Sequence, residues 1–320
     1  MKICLITPAK KYSKSGNRVS ALRWARLLRS NAHQVSLLTD YNKKSFDLMI
    51  ALHAWRSAHA VKQYRSIHPN GPLIVALGGT DVNTFLKTDP ETTLNTLECA
   101  DKLVCLNPLT GELLPRHLQK KLCTILQSAT PLKRQRKPAI RNFDTCFVGH
   151  LREEKDPFRP ALAARLVDKS SKLRIIHMGR ALSQGSLKKA KSEMATNPRY
   201  RWLGEVPSWR VRQEYQKTHL MIVSSIQEGG SNVISEAIIA GIPIIASRIS
   251  GNIGLLGPNF PGYFNPGNER ELADLLMRAE TRPDFIQLLH SYGERLRPRF
   301  LPEKEASAWE QLVVEVTKSA

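Results

Sequence analysis

Short, almost unbroken apolar runs recur along the chain, separated by longer stretches in which apolar residues return every three or four positions. The first set is KICLITP, QVSLLT, DLMIAL, PLIVAL, KLVCL and CTILQ, with a helical pattern from Arg18 to Arg29 after the first run. Runs of this length, rich in Ile, Val and Leu, read as strands buried on both faces, and strands alternating with helices predict a parallel α/β sheet. A polar, basic stretch with two prolines, SATPLKRQRKPAIRN, interrupts the pattern from Ser128 to Asn142. A second alternating set follows: TCFVG, LRIIHMG, RYRWLG, LMIVSS and IPIIAS. The expected organisation is therefore two doubly wound domains, 1–128 and 143–302, joined by a linker at 129–142. A last segment, about 303–318, carries Ala306, Trp309, Leu312 and Val313 at helical spacing.

The 320 residues suffice for two domains that each bury a core of their own. Lysine and arginine number 48 against 28 acids, a net charge of +20 that suits phosphate-rich ligands. The charge is dispersed; KRQRK, Lys133–Lys137, is the one dense cluster and reads as a solvated linker. No aromatic–basic motif accompanies it, so nucleic acid is not an expected partner. The five cysteines, Cys4, Cys99, Cys105, Cys123 and Cys146, form no C-x-x-C pair and read as reduced core residues. ICLIT before Pro8 is too short for a signal peptide, and no stretch of about 18 apolar residues occurs, so the expectation is a cytoplasmic protein with no membrane span. His150, His177 and His219 show no metal-ligand spacing and there is no Asp-x-Asp. Neither a metal nor another cofactor is expected.

The densest chemistry lies in SSIQEGGSNVISEAIIAGIPIIAS, Ser224–Ser247, where Glu228 and Glu236 have seven residues between them. MIVSS reads as a strand, and Gly229, Gly230, Ser231 and Asn232 as a turn that opens a helix through Ala240. Such a turn aims bare backbone N–H groups and the positive end of the helix dipole at one spot, an arrangement suited to a diphosphate. Glu228 is placed to accept hydrogen bonds from sugar hydroxyls. Glu236, about two turns on, is placed to hold a ribose diol. The alternative is a pair of solvated helix acids. In the first half, Gly16 and Asn17 lead into a helix beginning with Arg18, which is either an anion pocket or a capped surface helix. His53, with Arg56 near it, ends the DLMIAL strand, and Gly78-Gly79-Thr80-Asp81 ends the PLIVAL strand; Thr80 and Asp81 either face a ligand or cap a helix.

The Glu228–Glu236 block resembles the C-terminal half of retaining glycosyltransferases of family 4. FVGHLREEKDPF, Phe147–Phe158, is similar to that family's strand-end motif, with Gly149 and Lys155 in matching places and His150 where most members carry arginine. The resemblance implies a GT-B fold: two Rossmann-like doubly wound domains facing across a cleft, with the donor bound by the second and the last helix returning to the first. It also implies that Lys155 and Arg152 meet the donor diphosphate and that His53 faces the transferred sugar. PAKKYSKSGNRVSALRWA, ALHAWRSA, GGTDVN, RYRWLGE and SRISGNIGLLG, with GHLRE, extend the likeness to one branch, the selenosugar synthases of selenoneine biosynthesis. The chain departs from the branch at KKYSKSGN, which has fewer glycines, and at Asn83, where an aromatic residue is expected.

What that branch implies is transfer of glucose or N-acetylglucosamine from UDP-glucose or UDP-N-acetylglucosamine to selenophosphate, forming a carbon–selenium bond without a metal. The implied roles are catalysis by His53, Arg152, Lys155 and Glu228, and donor binding by Gly149, His150, Gly229, Gly230, Ser231, Asn232 and Glu236. Gly16, Asn17, Arg18, Arg56, Thr80 and Asp81 would hold the acceptor. A selenophosphate selenium is already electron-rich, so no general base is demanded; fixed positive groups that tolerate two anions are. The competing readings are a family 4 enzyme acting on a lipid or saccharide acceptor, and a non-catalytic nucleotide-sugar or nucleic-acid binding protein of the same build.

Overall fold

The computed structural model describes residues 1–13 and 15–318. It divides into two compact units, residues 1–128 with 301–320, and residues 129–300. The stretch expected as a linker, 129–142, is counted with the second unit. There Lys137 N–H and Ala139 N–H donate to the carbonyls of Gln216 and Lys217.

The first unit holds six strands: β1 (Lys2–Ile6), β2 (Gln34–Leu38), β3 (Leu48–Leu52), β4 (Leu73–Ala76), β5 (Lys102–Cys105) and β6 (Leu122–Thr124). They pair in parallel in the order β2-β1-β3-β4-β5-β6. The central strands β3 and β4 are buried at every residue, as strands covered on both faces must be. The edge strand β2 is only partly buried. One face of the sheet packs on the helix Gly16–Ser30 through Ala21, Trp24, Ala25 and Leu28, and on the last helix, Pro302–Lys318, through Trp309, Leu312 and Val313. The other face packs on Ala60, Val61 and Tyr64 of the helix Ala58–Ile67 and on Leu97 of the helix Pro90–Cys99. Trp24 and Trp309 meet with ring centroids 4.9 Å apart.

The second unit repeats the design with β7 (Phe143–Val148), β8 (Leu173–Met178), β9 (Tyr200–Trp202), β10 (Leu220–Val223), β11 (Ile244–Ser247) and β12 (Tyr263–Phe264). Its order is β12-β11-β10-β7-β8-β9, again all parallel. Eleven of these twelve strands correspond to apolar runs in the sequence; β12, two residues long, has too little pattern to be read.

Both orders place a topological switch inside a sheet, where two adjacent strands send their connections to opposite sides and open a crevice at their carboxyl ends. In the first unit the switch lies between β1 and β3, in the second between β7 and β10. Among the described residues, no helix is long and apolar enough to cross a membrane.

Candidate functional site

In the second unit, the loop after β7 and the loop after β10 meet at the switch. Ser224 Oγ donates to the carbonyls of Lys155 and Asp156, and the N–H of Ile226 donates to the carbonyl of Glu154 at 2.9 Å. The β10 loop is thus tied, by one hydroxyl and one N–H, to three consecutive carbonyls of the β7 loop. Lys155 Nζ donates to Glu228 Oε1, and Ser225 Oγ donates to the same oxygen at 2.7 Å. The lysine and glutamate that the sequence assigned to different parts of a ligand are therefore brought together as an ion pair. Both are mostly buried, with Phe147, Ser225, Ser231 and Val233 lining a cavity of about 10 Å³ beside them, room for about one water. Arg152 is exposed, 3.8 Å from Glu154. His150 is half-buried and accepts the N–H of Arg180 at its Nδ1, 3.0 Å.

The helix expected at the glycine turn runs Asn232–Ile239, with Ser231 at its N-cap. Ser231 is buried and its Oγ has no hydrogen-bond partner. Its hydroxyl therefore does not cap the helix it precedes, and the Ile234 N–H of the first turn donates to the Ser231 carbonyl at 3.1 Å. Glu236, one face down the same helix, accepts from Tyr215 Oη at its Oε2, 2.7 Å.

Several residues that shape this crevice carry no catalytic signature in the sequence. Gly179, just past β8, has the carbonyl oxygen of Gly149 1.7 Å from where a Cβ would stand. Gly251 has the carbonyl oxygen of Glu228 at 2.4 Å from its own. Both glycines are required by backbone contact with the two candidate loops, and the available signal was a glycine directly after a strand and one in SRISGN. His177, fully buried on β8, donates from Nε2 to the carbonyl of Gly149 at 2.9 Å, and Tyr200 Oη lies 2.6 Å from its Nδ1. A carbonyl can only accept, so the proton sits on Nε2 and Tyr200 is the donor to Nδ1. Burial lowers the His177 pKa from 6.5 to about 4, in keeping with that neutral tautomer.

In the first unit, the switch between β1 and β3 is bordered by the helix start at Gly16–Arg18 and by His53. Arg18 is 9% exposed and its Nε is without a hydrogen-bond partner. Asn17 Oδ1 lies 3.5 Å, and His53 Cδ2 3.2 Å, from where a Cβ on Gly78 would stand, so the three loops converge there. Gly16 has nothing within 4 Å of such an atom. His53 has φ of +77°, a left-handed conformation that costs a non-glycine residue free energy. It is 1% exposed, accepts the N–H of Arg56 at Nδ1 and has its Nε2 2.8 Å from Thr80 Oγ1. Both ring nitrogens are thus engaged by the surrounding loops. Burial lowers its pKa, the nearby Asp81 carboxylate opposing the effect. Asp81 is fully buried and takes the N–H groups of Ala54, Gly78, Gly79 and Val82. It knits the β3 and β4 loops, a cap-like arrangement rather than a surface carboxylate facing a ligand. Residues Asp81–Phe85 form a π-helical turn, and Phe85 stacks on Trp55 with centroids 4.0 Å apart. Arg56 is exposed. Among the described residues, no group of three or more His, Cys, Asp or Glu is arranged to hold a metal ion.

Residues 130–297 match the family of glycosyl transferases group 1. The chain is 26% identical over 178 residues to the putative teichuronic acid biosynthesis glycosyltransferase TuaC of Bacillus subtilis (strain 168), a match covering 54% of this chain and 42% of that protein. The chain thus spans well under two thirds of that relative's length. Among solved structures it is similar to Anabaena Alr3699/HepE in complex with UDP-glucose, at 15% identity and a TM-score of 0.79, with both chains fully covered. Sucrose-phosphate synthase (tll1590) from Thermosynechococcus elongatus gives 18% identity and a TM-score of 0.79, again over both whole chains. These likenesses establish the fold: the two parallel six-stranded sheets are those of GT-B proteins.

Proposed function

The chain belongs to the glycosyl transferases of group 1, and from that premise we propose that it moves a glucosyl or N-acetylglucosaminyl group from its UDP donor to selenophosphate. The C1–O bond to the donor phosphate breaks and its electron pair leaves with UDP, while a selenium lone pair forms the C1–Se bond. Hydrolysis of the Se–P bond then releases phosphate and a selenosugar.

Arg18 is the observation that carries the acceptor assignment. A buried guanidinium with an unpartnered Nε, at a helix start on a switch-point crevice, is a site for a compact anion. Asn17 is the neighbouring polar group, with Arg56 and Thr80 on the adjoining loops. Asp81 and His53 serve by holding those loops in place. On the donor side, Lys155, Arg152, His150 and the Gly149 loop receive the diphosphate with the Gly229–Asn232 helix start. Lys155 moves from Glu228 to the departing phosphate, leaving Glu228 to take sugar hydroxyls, and Glu236 takes the ribose. This is catalysis by placement of fixed charge, with no general base required of the protein.

A saccharide acceptor is the second reading, favoured by the likeness to a protein named for teichuronic acid biosynthesis. The deciding experiment measures UDP release from each UDP-sugar with freshly made selenophosphate, with thiophosphate and with neither, followed by mass analysis for a selenium-containing hexose. Selenophosphate-dependent release with a selenosugar product supports the proposal, and Arg18→Ala should then raise the selenophosphate KM about tenfold or more at unchanged UDP affinity. Release that ignores selenophosphate would leave the donor reading standing and overturn the acceptor.

A further inference from the structure

Glu236 is held by a residue that the motifs do not reach. Tyr215 stands on the helix Ser208–Lys217 and is its buried residue. It is 2% exposed, and its hydroxyl donates to Glu236 Oε2 at 2.7 Å across 21 positions of sequence. A buried phenol pointed at a carboxylate must donate, because an acceptor–acceptor contact there would be repulsive. Its pKa is raised well above 10, by burial first and the Glu236 charge second, so it donates throughout the working range of pH. Glutamate has three rotatable side-chain bonds, and a half-buried one on a helix surface samples several rotamers unless something fixes it. A charge-assisted bond from an immobile ring fixes one oxygen in space. A carboxylate has about four lone-pair sites, so this bond leaves it able to accept from a ligand as well.

We infer that Tyr215 is a positioning residue for ribose recognition, orienting the Glu236 carboxylate so that it meets the ribose hydroxyls of the nucleotide without first paying to order its own side chain. The inference rests on the reading of Glu236 as the ribose-binding group and adds the device that makes the group rigid. Discrimination against a nucleotide lacking those hydroxyls then belongs to the Tyr215–Glu236 pair, not to Glu236 alone.

The test uses the full chain and two probes, UDP and 2′,3′-dideoxy-UDP, with dissociation constants measured by calorimetry for the wild type, Tyr215→Phe and Glu236→Ala. Tyr215→Phe keeps the ring and its packing. The expected result is a loss of UDP affinity of about tenfold with 2′,3′-dideoxy-UDP unchanged, so that the variant no longer distinguishes the two probes well. A merely structural tyrosine would weaken both probes equally, and that outcome, or no change for either, overturns the proposal. Should Glu236→Ala abolish the discrimination while Tyr215→Phe preserves it, the positioning role alone is lost. If Glu236→Ala leaves the discrimination intact, the ribose reading fails and the positioning role falls with it.

Discussion

Glu305, on the last helix, is a buried acid on which four donors of the first unit converge, and removing it is predicted to loosen that unit far more than a surface change would. Its side chain is 1% exposed and that of Arg23 is 9% exposed, with Arg23 Nε 3.0 Å from Oε2. The same carboxylate accepts from Trp24 Nε1 at 2.9 Å and from both the N–H, at 2.7 Å, and the hydroxyl of Ser128. Glu305→Ala would leave a buried guanidinium without its counter-charge and orphan an indole and a backbone N–H. Removing one partner of a buried pair costs about 3–5 kcal/mol, against a typical total of about 5–15. Because a two-unit chain need not unfold in one step, a single melting temperature is a poor readout. Hydrogen exchange followed by mass spectrometry reads each unit separately. Peptides from 16–30 and 302–318 should exchange faster by two or more orders of magnitude, while 232–239 stays as protected as before. Replacing Arg23 as well, in Glu305→Ala/Arg23→Met, should recover about half of the loss, since the stranded charge is gone. A Glu305→Ala variant whose first unit loses less than about 1 kcal/mol would refute the argument that this cluster is a desolvated ion pair with dependent donors.

Gly179→Ala should displace the Gly149 carbonyl, which lies 1.7 Å from the added carbon, and reduce UDP affinity by about tenfold or more in a titration, whereas Gly16→Ala, with nothing within 4 Å, should change stability by no more than about 0.5 kcal/mol. Retained UDP affinity in Gly179→Ala would show that the loop tolerates the shift. The His177 pKa is lowered from 6.5 to about 4, so the unfolded chain binds this proton more readily than the folded one. Its contribution is intact above pH 6.5 and is lost as pH falls toward 4, by roughly 3 kcal/mol in all. Denaturation of His177→Phe across that window should show a correspondingly flatter dependence on pH, and an unaltered slope would mean that His177 is not the group being titrated.

Strand positions were legible because a parallel strand covered on both faces reads as a near-continuous apolar run, and Leu48–Leu52 is such a run from end to end. The turn between Leu220–Val223 and Asn232–Ile239 was legible for a similar reason: two glycines between an apolar run and a helical pattern read as a break. What stayed hidden is the set of partners from other parts of the chain. Nothing near Glu236 in sequence announces Tyr215, and nothing near Gly149 announces the need for a glycine at 179, since both contacts arise only when neighbouring elements close on one another. Polar residue type misleads for the same reason. Asp81 in Gly-Gly-Thr-Asp reads equally well as a ligand-facing acid or as a cap, and only the four backbone N–H groups around it decide. Arg136 belongs to a basic run that reads as solvated, yet it is half-buried. Its guanidinium donates to the carbonyls of Gly241 and Thr218, and burial lowers its pKa to about 10. Local pattern specifies which elements form and where turns separate them. The side chains that tie those elements and turns together are specified by packing between elements: Tyr215 bonds to Glu236, His177 to the Gly149 carbonyl, and Asp81 to four backbone N–H groups.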